Sequence, residues 1–485
     1  MKVVVLFFII ISSQIVNAVP IDWHGAFGVD TTSIYNYRKI KVKSTNAVTG
    51  GSQEVDLGSG GKSTASYESY LFHLNPQMII NDSVTFKGEI TTGYGRGGRL
   101  GDSSAPSRDI GFGNALYMQN TSYNNAMNMN QAYLELYSDT ATWLIGRHSN
   151  HWGMGAVINS GENSWDRYAS IRDGVTVKLK LGNFGLTPYW GKISAGDSST
   201  TATQIKEFGT GLTYDNPERD MSFGLLYGKK VGAKFNTSYK EDIDGNGTSQ
   251  SIGQTDIKIT DIYFRKIFKK LTFTTEIPLM SGEIGQIYNK APYNNSENIK
   301  YGAKAFLFNF DYKLSENWKT SLLAGSVSGD GSSIGSFNAM YLNPNFQIAN
   351  LMFRYNMMAV SDTSKSLYDS YVTNVRFLKL TAVYQGESWT FITGLIYAKA
   401  DQVATGSDYA YNHTKNVKFL STQVQSDDLG YELDLNANYH WNTDTTVGFA
   451  GGYHFVGDYY GYTNTTSSNH AENSYVLQLS TIVKF

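Results

Sequence analysis

The end of the chain constrains its fold more than any other stretch. Across residues 475–485, one set of alternate positions is mostly aromatic or aliphatic, and the other includes Gln478, Ser480 and Lys484. Alternation with a period of two indicates a β-strand with two different faces. A terminal strand leaves unpaired N–H and C=O groups unless a neighbour covers them. In a bilayer no water can satisfy those groups, so the sheet must close. An edge strand in a soluble β-sandwich is the alternative that this strand alone leaves open.

The start of the chain predicts export. Lys2 is followed by an apolar run over residues 3–11 and by the small-residue exit Val16-Asn17-Ala18, which is typical of a secretory signal peptide cleaved after Ala18. No later stretch approaches the roughly 20 apolar residues of a membrane helix. We therefore expect a signal peptide at residues 1–18 and one domain over residues 19–485.

The composition excludes several kinds of partner and cofactor. The chain has no cysteine, which excludes disulfides, thiolate metal sites and a lipid-modified cysteine. Its 40 basic and 42 acidic residues nearly balance, so no nucleic-acid partner is indicated, and no motif points to a cofactor. The 34 tyrosines and 48 glycines beside only 8 prolines fit a barrel with one apolar face and one wet face.

Turn signals set the strand count. Short Asn, Asp, Gly, Ser or Lys turns are predicted at residues 81–82, 138–139, 182–183, 215–220, 269–270, 315–317, 385–387 and 442–444, because these residue types mostly favour turn conformations. Long polar loops alternate with the short turns, as extracellular loops and periplasmic turns do in outer-membrane barrels. The sequence predicts an all-β protein, a transmembrane antiparallel β-barrel of eighteen strands, with sixteen as the alternative.

Several strands alternate clearly enough to assign their faces. In residues 429–439, Leu and Tyr dominate one face while Glu432 and Asp434 lie on the other. We expect the polar face to line a water-filled lumen. The residues predicted to line it are Lys87, Glu89, Glu135, Lys178, Glu432 and Asp434.

Two features resemble a known family. The terminal Phe485 with its alternating aromatics and aliphatics resembles the closing strand of Gram-negative outer-membrane β-barrels. The hairpin ending in Ile145-Gly146-Arg147 resembles the porin hairpin that leads into the third loop. The resemblance implies an outer-membrane location and contact with membrane lipid and lipopolysaccharide. It also implies recognition of the C-terminal strand by the barrel assembly machinery and leaves a homo-trimer open.

In porins the third loop folds into the lumen and narrows it, and the resemblance places the loop after residue 147 there. This loop contains both charge signs and two indoles but lacks the acidic-aromatic-diglycine motif of general porins, so only its place in the topology carries over. We expect the constriction or binding residues to be Arg147, Trp152, Glu162, Trp165, Asp166 and Arg167. The alternative is that these charges pair to hold the loop to the wall.

Residues 337–358 are apolar enough for a further strand, which would leave an odd number that single-chain bacterial barrels avoid. We therefore predict that this segment belongs to the seventh loop as a hydrophobic lid or an inward-folded plug. Asn343 and Pro344 suggest a helix start there.

Two further motifs resemble a catalytic site and a calcium site, but neither matches its pattern fully. His148-Ser149-Asn150 resembles elements of outer-membrane phospholipases, but adjacent strand residues point to opposite faces, so no enzyme is predicted. Asp242, Asp244 and Asn246 resemble the start of a calcium loop, yet Gly253 occupies the twelfth position, where a bidentate Glu is required.

The sequence therefore predicts an outer-membrane porin for passive diffusion of small hydrophilic solutes or ions, with saccharides among the candidates. The competing hypothesis is a surface barrel, an adhesin or structural protein, whose lumen is plugged.

Overall fold

The structure is a computed structural model. It describes residues 20–41, 63–93, 95–100, 127–194, 205–232, 240–241, 250–251, 255–284, 299–331, 335–360, 366–413, 417–462, 464 and 469–485. The predicted signal peptide, residues 1–18, lies outside the described residues.

Eighteen long strands of the described chain form one closed antiparallel sheet. They are β1 (Ile21–Tyr35), β2 (Ala65–Asn81), β3 (Val84–Thr92), β4 (Met127–Tyr137), β5 (Ala141–Asn150), β6 (Ser170–Leu181), β7 (Phe184–Ser194), β8 (Ile205–Asn216), β9 (Met221–Gly232), β10 (Thr255–Phe268), β11 (Leu271–Ile284), β12 (Lys300–Lys313), β13 (Trp318–Val327), β14 (Val375–Gln385), β15 (Trp389–Ala400), β16 (Asp428–His440), β17 (Thr445–Val456) and β18 (Ser474–Lys484).

The remaining elements are short. Gly97–Arg99 and Ser336–Phe337 join the barrel sheet. Three small ladders pair Ile40–Lys41 with His470–Ala471, Lys240–Glu241 with Gln250–Ser251, and Tyr409–Asn412 with Val417–Leu420. The 3₁₀ helices are Pro217–Arg219, Met357–Val360 and Asp458–Gly461.

The predicted closing strand closes the sheet. β18 pairs with β1 from Tyr475 opposite Tyr35 to Lys484 opposite Ala26. Beyond the strand end, the N–H of Gly25 donates to the carbonyl of Phe485 at 2.8 Å, and the N–H of Phe485 donates back at 3.1 Å. Each of the eighteen strands therefore has a neighbour on both sides, as the bilayer requires.

The connections have the predicted asymmetry. All eight predicted short turns join consecutive strands at one end of the barrel, and the long loops join strands at the other. At residues 269–270, Lys269 takes a φ of 50°, the left-handed conformation that a two-residue hairpin turn uses.

No helix in the described part of the chain is both long and apolar enough to span a membrane.

The outer face of the sheet is apolar and the inner face is polar. On β16, Leu433 and Leu435 are 40% and 53% exposed on the outside, whereas Glu432 and Asp434 point inward and are almost completely buried. A water-soluble sheet would have the reverse arrangement, whereas a lipid-facing barrel requires this one. The chain is therefore a transmembrane β-barrel of eighteen strands, as predicted, with the apolar outer face that contact with lipid requires.

Residues 337–358 lie in the connection between β13 and β14. Only Phe337 pairs with a wall strand, so the segment is not itself a wall strand, as predicted. Met340, Leu342 and Ile348 of this segment are fully buried. They pack against inward-facing wall residues such as Ala305 and Leu307 of β12, so the segment folds into the barrel. The wall is apolar here because the segment covers it.

The predicted helix start at Asn343 is wrong. The side-chain Oδ1 of Asn343 accepts from the N–H of Asn345 at 3.0 Å, and its carbonyl accepts from the N–H of Phe346 at 2.8 Å. Asn343 thus forms an Asx turn, a local bond that competes with helix formation.

Candidate functional site

A cavity lies at the loop end of the barrel, where loop 3 (residues 151–169) and the described parts of loop 7 (residues 328–331, 335–360 and 366–374) fold inward. It has a volume of about 850 Å³. Loop 3, loop 7 and the inner wall from β5 to β11 all contribute to its lining. A cavity of this size accommodates a small organic solute.

The lining combines cations with aromatic rings. The basic side chains that point into it are Arg38, Arg172 and Lys230, its acidic ones are Glu207 and Asp369, and its rings are Tyr37, Tyr189, Tyr301, Phe337, Tyr341, Phe353, Tyr355, Tyr371, His413, Tyr459 and Tyr460. Basic groups outnumber acidic ones, so the local field favours anions.

Arg172 is held by contacts with three neighbouring side chains. Its Nε donates to the Glu207 carboxylate at 2.6 Å and its Nη1 to the side-chain oxygen of Asn150 at 2.5 Å. The guanidinium carbon lies 3.6 Å from the centre of the Tyr189 ring, a stacked cation–π contact. Arg172 therefore presents a fixed charge at the cavity wall.

Trp152 lies inside the barrel. Its ring lies against Gly211 of β8 and Gly224 of β9, so closely that a Cβ at either position would be 2.9 Å from the indole. The two glycines therefore create the recess that receives this ring, and Trp152 narrows the lumen on that side.

Trp165 lies against another part of the inner wall. Its ring packs with Ala26, Leu71 and Ile482, and a Cβ at Gly28 would be 2.8 Å from it. Loop 3 therefore crosses the lumen from β8 and β9 to the seam between β1 and β18.

Arg167 holds loop 3 to that seam. Its Nη2 donates to the Asp30 carboxylate at 2.9 Å and to Ser69 Oγ at 2.8 Å. The guanidinium also stacks on Tyr368 of loop 7, 4.1 Å from the ring centre. Both charges of the Arg167–Asp30 pair are buried. At this arginine the structure therefore agrees with the alternative hypothesis, in which charges of the loop pair with the wall.

Asp166 and Glu162 differ in exposure. The Asp166 carboxylate is buried and accepts from the N–H and the side-chain amide of Asn163 at 3.0 and 3.1 Å, and burial raises its pKa. Glu162 is exposed and accepts from Ser160 Oγ at 2.9 Å. Of the two carboxylates, only that of Glu162 meets water.

Arg147 lies outside the lumen, which corrects its predicted place at the constriction. It shares the outer face of β5 with Trp143 and Ile145, and it pairs with Asp173 of β6 at 2.8 Å with both side chains nearly half exposed. The period of two along β5 gives it this orientation.

A second clamp on loop 3 was missed by the sequence analysis. Arg96 forms a bidentate pair with Glu89, 2.7 Å for each bond, and also donates to the carbonyls of Gly161 and Asp166. Glu89 does face inward as predicted, but Arg96 covers it. The short segment containing Arg96 had no signal of its own, because its partners are distant in sequence.

A third clamp lies at the start of loop 3. The Glu276 carboxylate of β11 accepts from the N–H of Met154. Gly153 has a φ of +60°, and a Cβ there would be 2.5 Å from Glu276 Oε2. Glycine is required at this close approach.

Loop 7 is held by two residues predicted to line the lumen. Glu432 accepts from the N–H groups of Leu351 and Met352 at 2.6 and 2.7 Å, and Asp434 accepts from the N–H of Asn350 at 3.1 Å. Both acids point inward, but loop 7 covers them. They bind a loop backbone and do not meet the water of the pore.

The other predicted lining residues lie nearer the short-turn end. Lys87 and Glu135 point inward and pair at 2.8 Å, and Lys178 points inward and is exposed. The weak calcium candidates Asp242, Asp244 and Asn246 lie outside the described residues. Among the described residues no cluster of three metal-ligating side chains is present.

No protein-family model and no curated protein sequence matches this chain. Among solved structures, OpdQ from Pseudomonas aeruginosa is similar with 13% identity and a TM-score of 0.46, over 96% of this chain and 98% of that one. OccK9 (OpdG) from Pseudomonas aeruginosa has 10% identity and a TM-score of 0.49, over 96% and 99%. A BenF-like porin from Pseudomonas fluorescens Pf-5 has 9% identity and a TM-score of 0.47, also over 96% and 99%. The likeness concerns the fold alone.

Proposed function

We propose that this barrel is a channel for passive diffusion of small hydrophilic solutes or ions across the outer membrane, with a preference for anions. The observation that carries the proposal is the cavity between loops 3 and 7, about 850 Å³ and lined by both charge signs and by aromatic rings. A structural plug has no need for charged groups in a cavity, since an unpaired buried charge destabilises a protein.

The selectivity follows from the cations of the cavity. Lys230 is exposed on the inner face of β9, so its charge acts on the solute path. Charges at a narrow aqueous passage with low-dielectric walls strongly affect ion traffic. The aromatic rings offer apolar faces along which an organic solute can move. Small organic anions are therefore the first class of solute that we propose, and saccharides are the second.

Electrophysiology tests this function. Wild-type protein in a planar bilayer should conduct, and its reversal potential in a salt gradient should indicate anion preference. Lys230→Glu should shift that potential toward cations. Lys399→Glu, a reversal at a half-exposed outer-face residue of β15, serves as the matched control and should leave it unchanged.

One observation favours the alternative function, a surface barrel whose lumen is plugged. Met340, Leu342, Ile348 and Leu351 of loop 7 are fully buried, as in a permanent stopper. Folded protein that passes no current under any applied voltage would establish that alternative and refute the channel.

Two partner proposals accompany this function. The terminal Phe485 ring is 52% exposed on the outer face, which supports recognition of β18 by the barrel assembly machinery. A homo-trimer is the assembly to test by mass measurement in detergent.

A further inference from the structure

A row of cations crosses the outer face of β5 to β9 and reaches β10 at the loop end of the barrel. Arg147 of β5 lies opposite Asp173 of β6, Asp173 opposite Lys192 of β7, and Lys192 opposite Lys206 of β8. Directly opposite residues in an antiparallel ladder share a face. These four side chains therefore lie side by side on the outside.

Two further cations lie on the next two strands, two residues nearer the short-turn end than Lys206. Lys229 of β9 lies opposite Lys258 of β10, and Lys229 shares the outer face because it lies opposite the outward Phe208. The row contains five cations, Arg147, Lys192, Lys206, Lys229 and Lys258, and two acids, Asp173 and Asp256.

Only two of these five cations form ion pairs with described carboxylates. Arg147 pairs with Asp173 and Lys229 with Asp256 at 2.9 Å. Lys192, Lys206 and Lys258 are exposed, and no described carboxylate lies within ion-pair distance of them. Adjacent like charges destabilise a sheet, so a neutralising anion would stabilise this row.

On β6 to β8, the surface directly below Lys192 and Lys206 is apolar. Two residues further toward the short-turn end, Trp190 lies opposite both Val175 and Phe208, and the two rings are 46% and 41% exposed. Cations above a hydrocarbon-facing surface match an amphiphile with an anionic head over acyl chains. Juxtamembrane cations attract anionic lipid in the same way.

We propose that the outer face of β6–β10 binds a phosphorylated glycolipid of the outer leaflet, of the lipid A type. Its phosphates contact Lys192, Lys206 and Lys258, and its acyl chains lie on Val175, Trp190 and Phe208. The long-loop end is the end that faces the outer leaflet, so the cations lie at the height of the lipid phosphates. This site faces lipid, not the lumen, and is independent of the proposed conduction.

The experiment titrates folded protein in nonionic detergent, without divalent cations, with bisphosphorylated lipid A and with the same lipid lacking its phosphates. Bound lipid and oligomer mass are read by native mass spectrometry. The test variant is Lys192→Gln/Lys206→Gln/Lys258→Gln. The matched control, Lys269→Gln/Lys270→Gln/Lys313→Gln, removes three exposed charges at the short-turn end.

At roughly fivefold per charge near an anionic surface, the test variant should bind bisphosphorylated lipid A on the order of 100-fold more weakly. The control should bind like wild type, and wild type should bind the dephosphorylated lipid poorly. The corresponding Lys→Arg triple should retain affinity, which separates lost charge from misfolding.

Unchanged affinity in the Gln triple overturns the proposal, as does equal binding of the two lipids by wild type. A changed oligomer mass with unchanged lipid affinity also overturns it, because the row would then be a contact between copies of the chain.

Discussion

Glu432 should control whether loop 7 stays inside the barrel. Its carboxylate, fully buried on the inner face of β16, accepts from the N–H groups of Leu351 and Met352. Replacing Glu432 by Gln keeps the side-chain volume but leaves an NH₂ group where one acceptor oxygen was. One buried N–H of loop 7 then has no acceptor.

The size of the effect follows from that lost acceptor. A buried donor without a partner costs about 1–3 kcal/mol. The equilibrium between docked and released loop 7 should therefore shift toward release by roughly 5- to 150-fold. The barrel wall should be little affected, because its ladder bonds are backbone bonds.

A thiol reporter measures the release. The natural chain has no cysteine, so Ala349→Cys, at a position 3% exposed, introduces a single buried thiol with little change in volume. Labelling by a water-soluble thiol reagent should be roughly 5- to 150-fold faster with Glu432→Gln than without it. Larger or noisier single-channel currents should accompany the faster labelling.

Glu135→Gln is the control, because Glu135 pairs with Lys87 on the wall and no loop contact is found for it in the described chain. It should leave the labelling rate unchanged. Equal labelling rates in the Glu432 and Glu135 variants would refute the clamp, since the loop would then be held by its apolar packing alone.

Two further predictions concern assembly and stability. Deleting Phe485 removes the backbone bonds to Gly25 and should lower the amount of heat-modifiable barrel in the outer membrane, measured by gel shift; normal levels would contradict this role. Arg167→Met leaves the buried Asp30 carboxylate without its cation, which costs about 3–5 kcal/mol, so the barrel should lose its folded gel mobility at a lower temperature. Adding Asp30→Asn should restore part of that loss, and a double variant no better than Arg167→Met would argue against the pair.

The wall of the barrel could be predicted from the sequence because its rules are local. Side chains on a strand alternate with a period of two, so the apolar set of residues 475–485 or 431–439 identifies the lipid side without knowledge of any partner. The rule fails at Leu429, which is buried inside the barrel because the strand register shifts there. Turn chemistry is equally local, and all eight predicted turns occur. The same rule, applied to Trp143 and Ile145, places Arg147 outside; the family resemblance pointed the other way and was misleading at that residue.

The interior of the barrel was decided by tertiary structure. The bonds that hold loops 3 and 7, Arg96 to Asp166 and Glu432 to Leu351, join residues 70 and 81 positions apart. No periodicity in either segment indicates its partner. An indirect signal existed on β12, where Ala305 and Leu307 are apolar on the inward face, because such a wall must be covered if the lumen is wet.

The sequence likewise could not predict which inward charges meet water and which are covered by a loop. Lys87 and Glu432 both occupy inward positions, and the sequence predicted the same water-lined environment for both. The structure leaves Lys87 partly exposed and covers Glu432 completely. The difference arises because loop 7 lies over β16, and the free energy of a charge depends on what surrounds it in space, not on its neighbours along the chain.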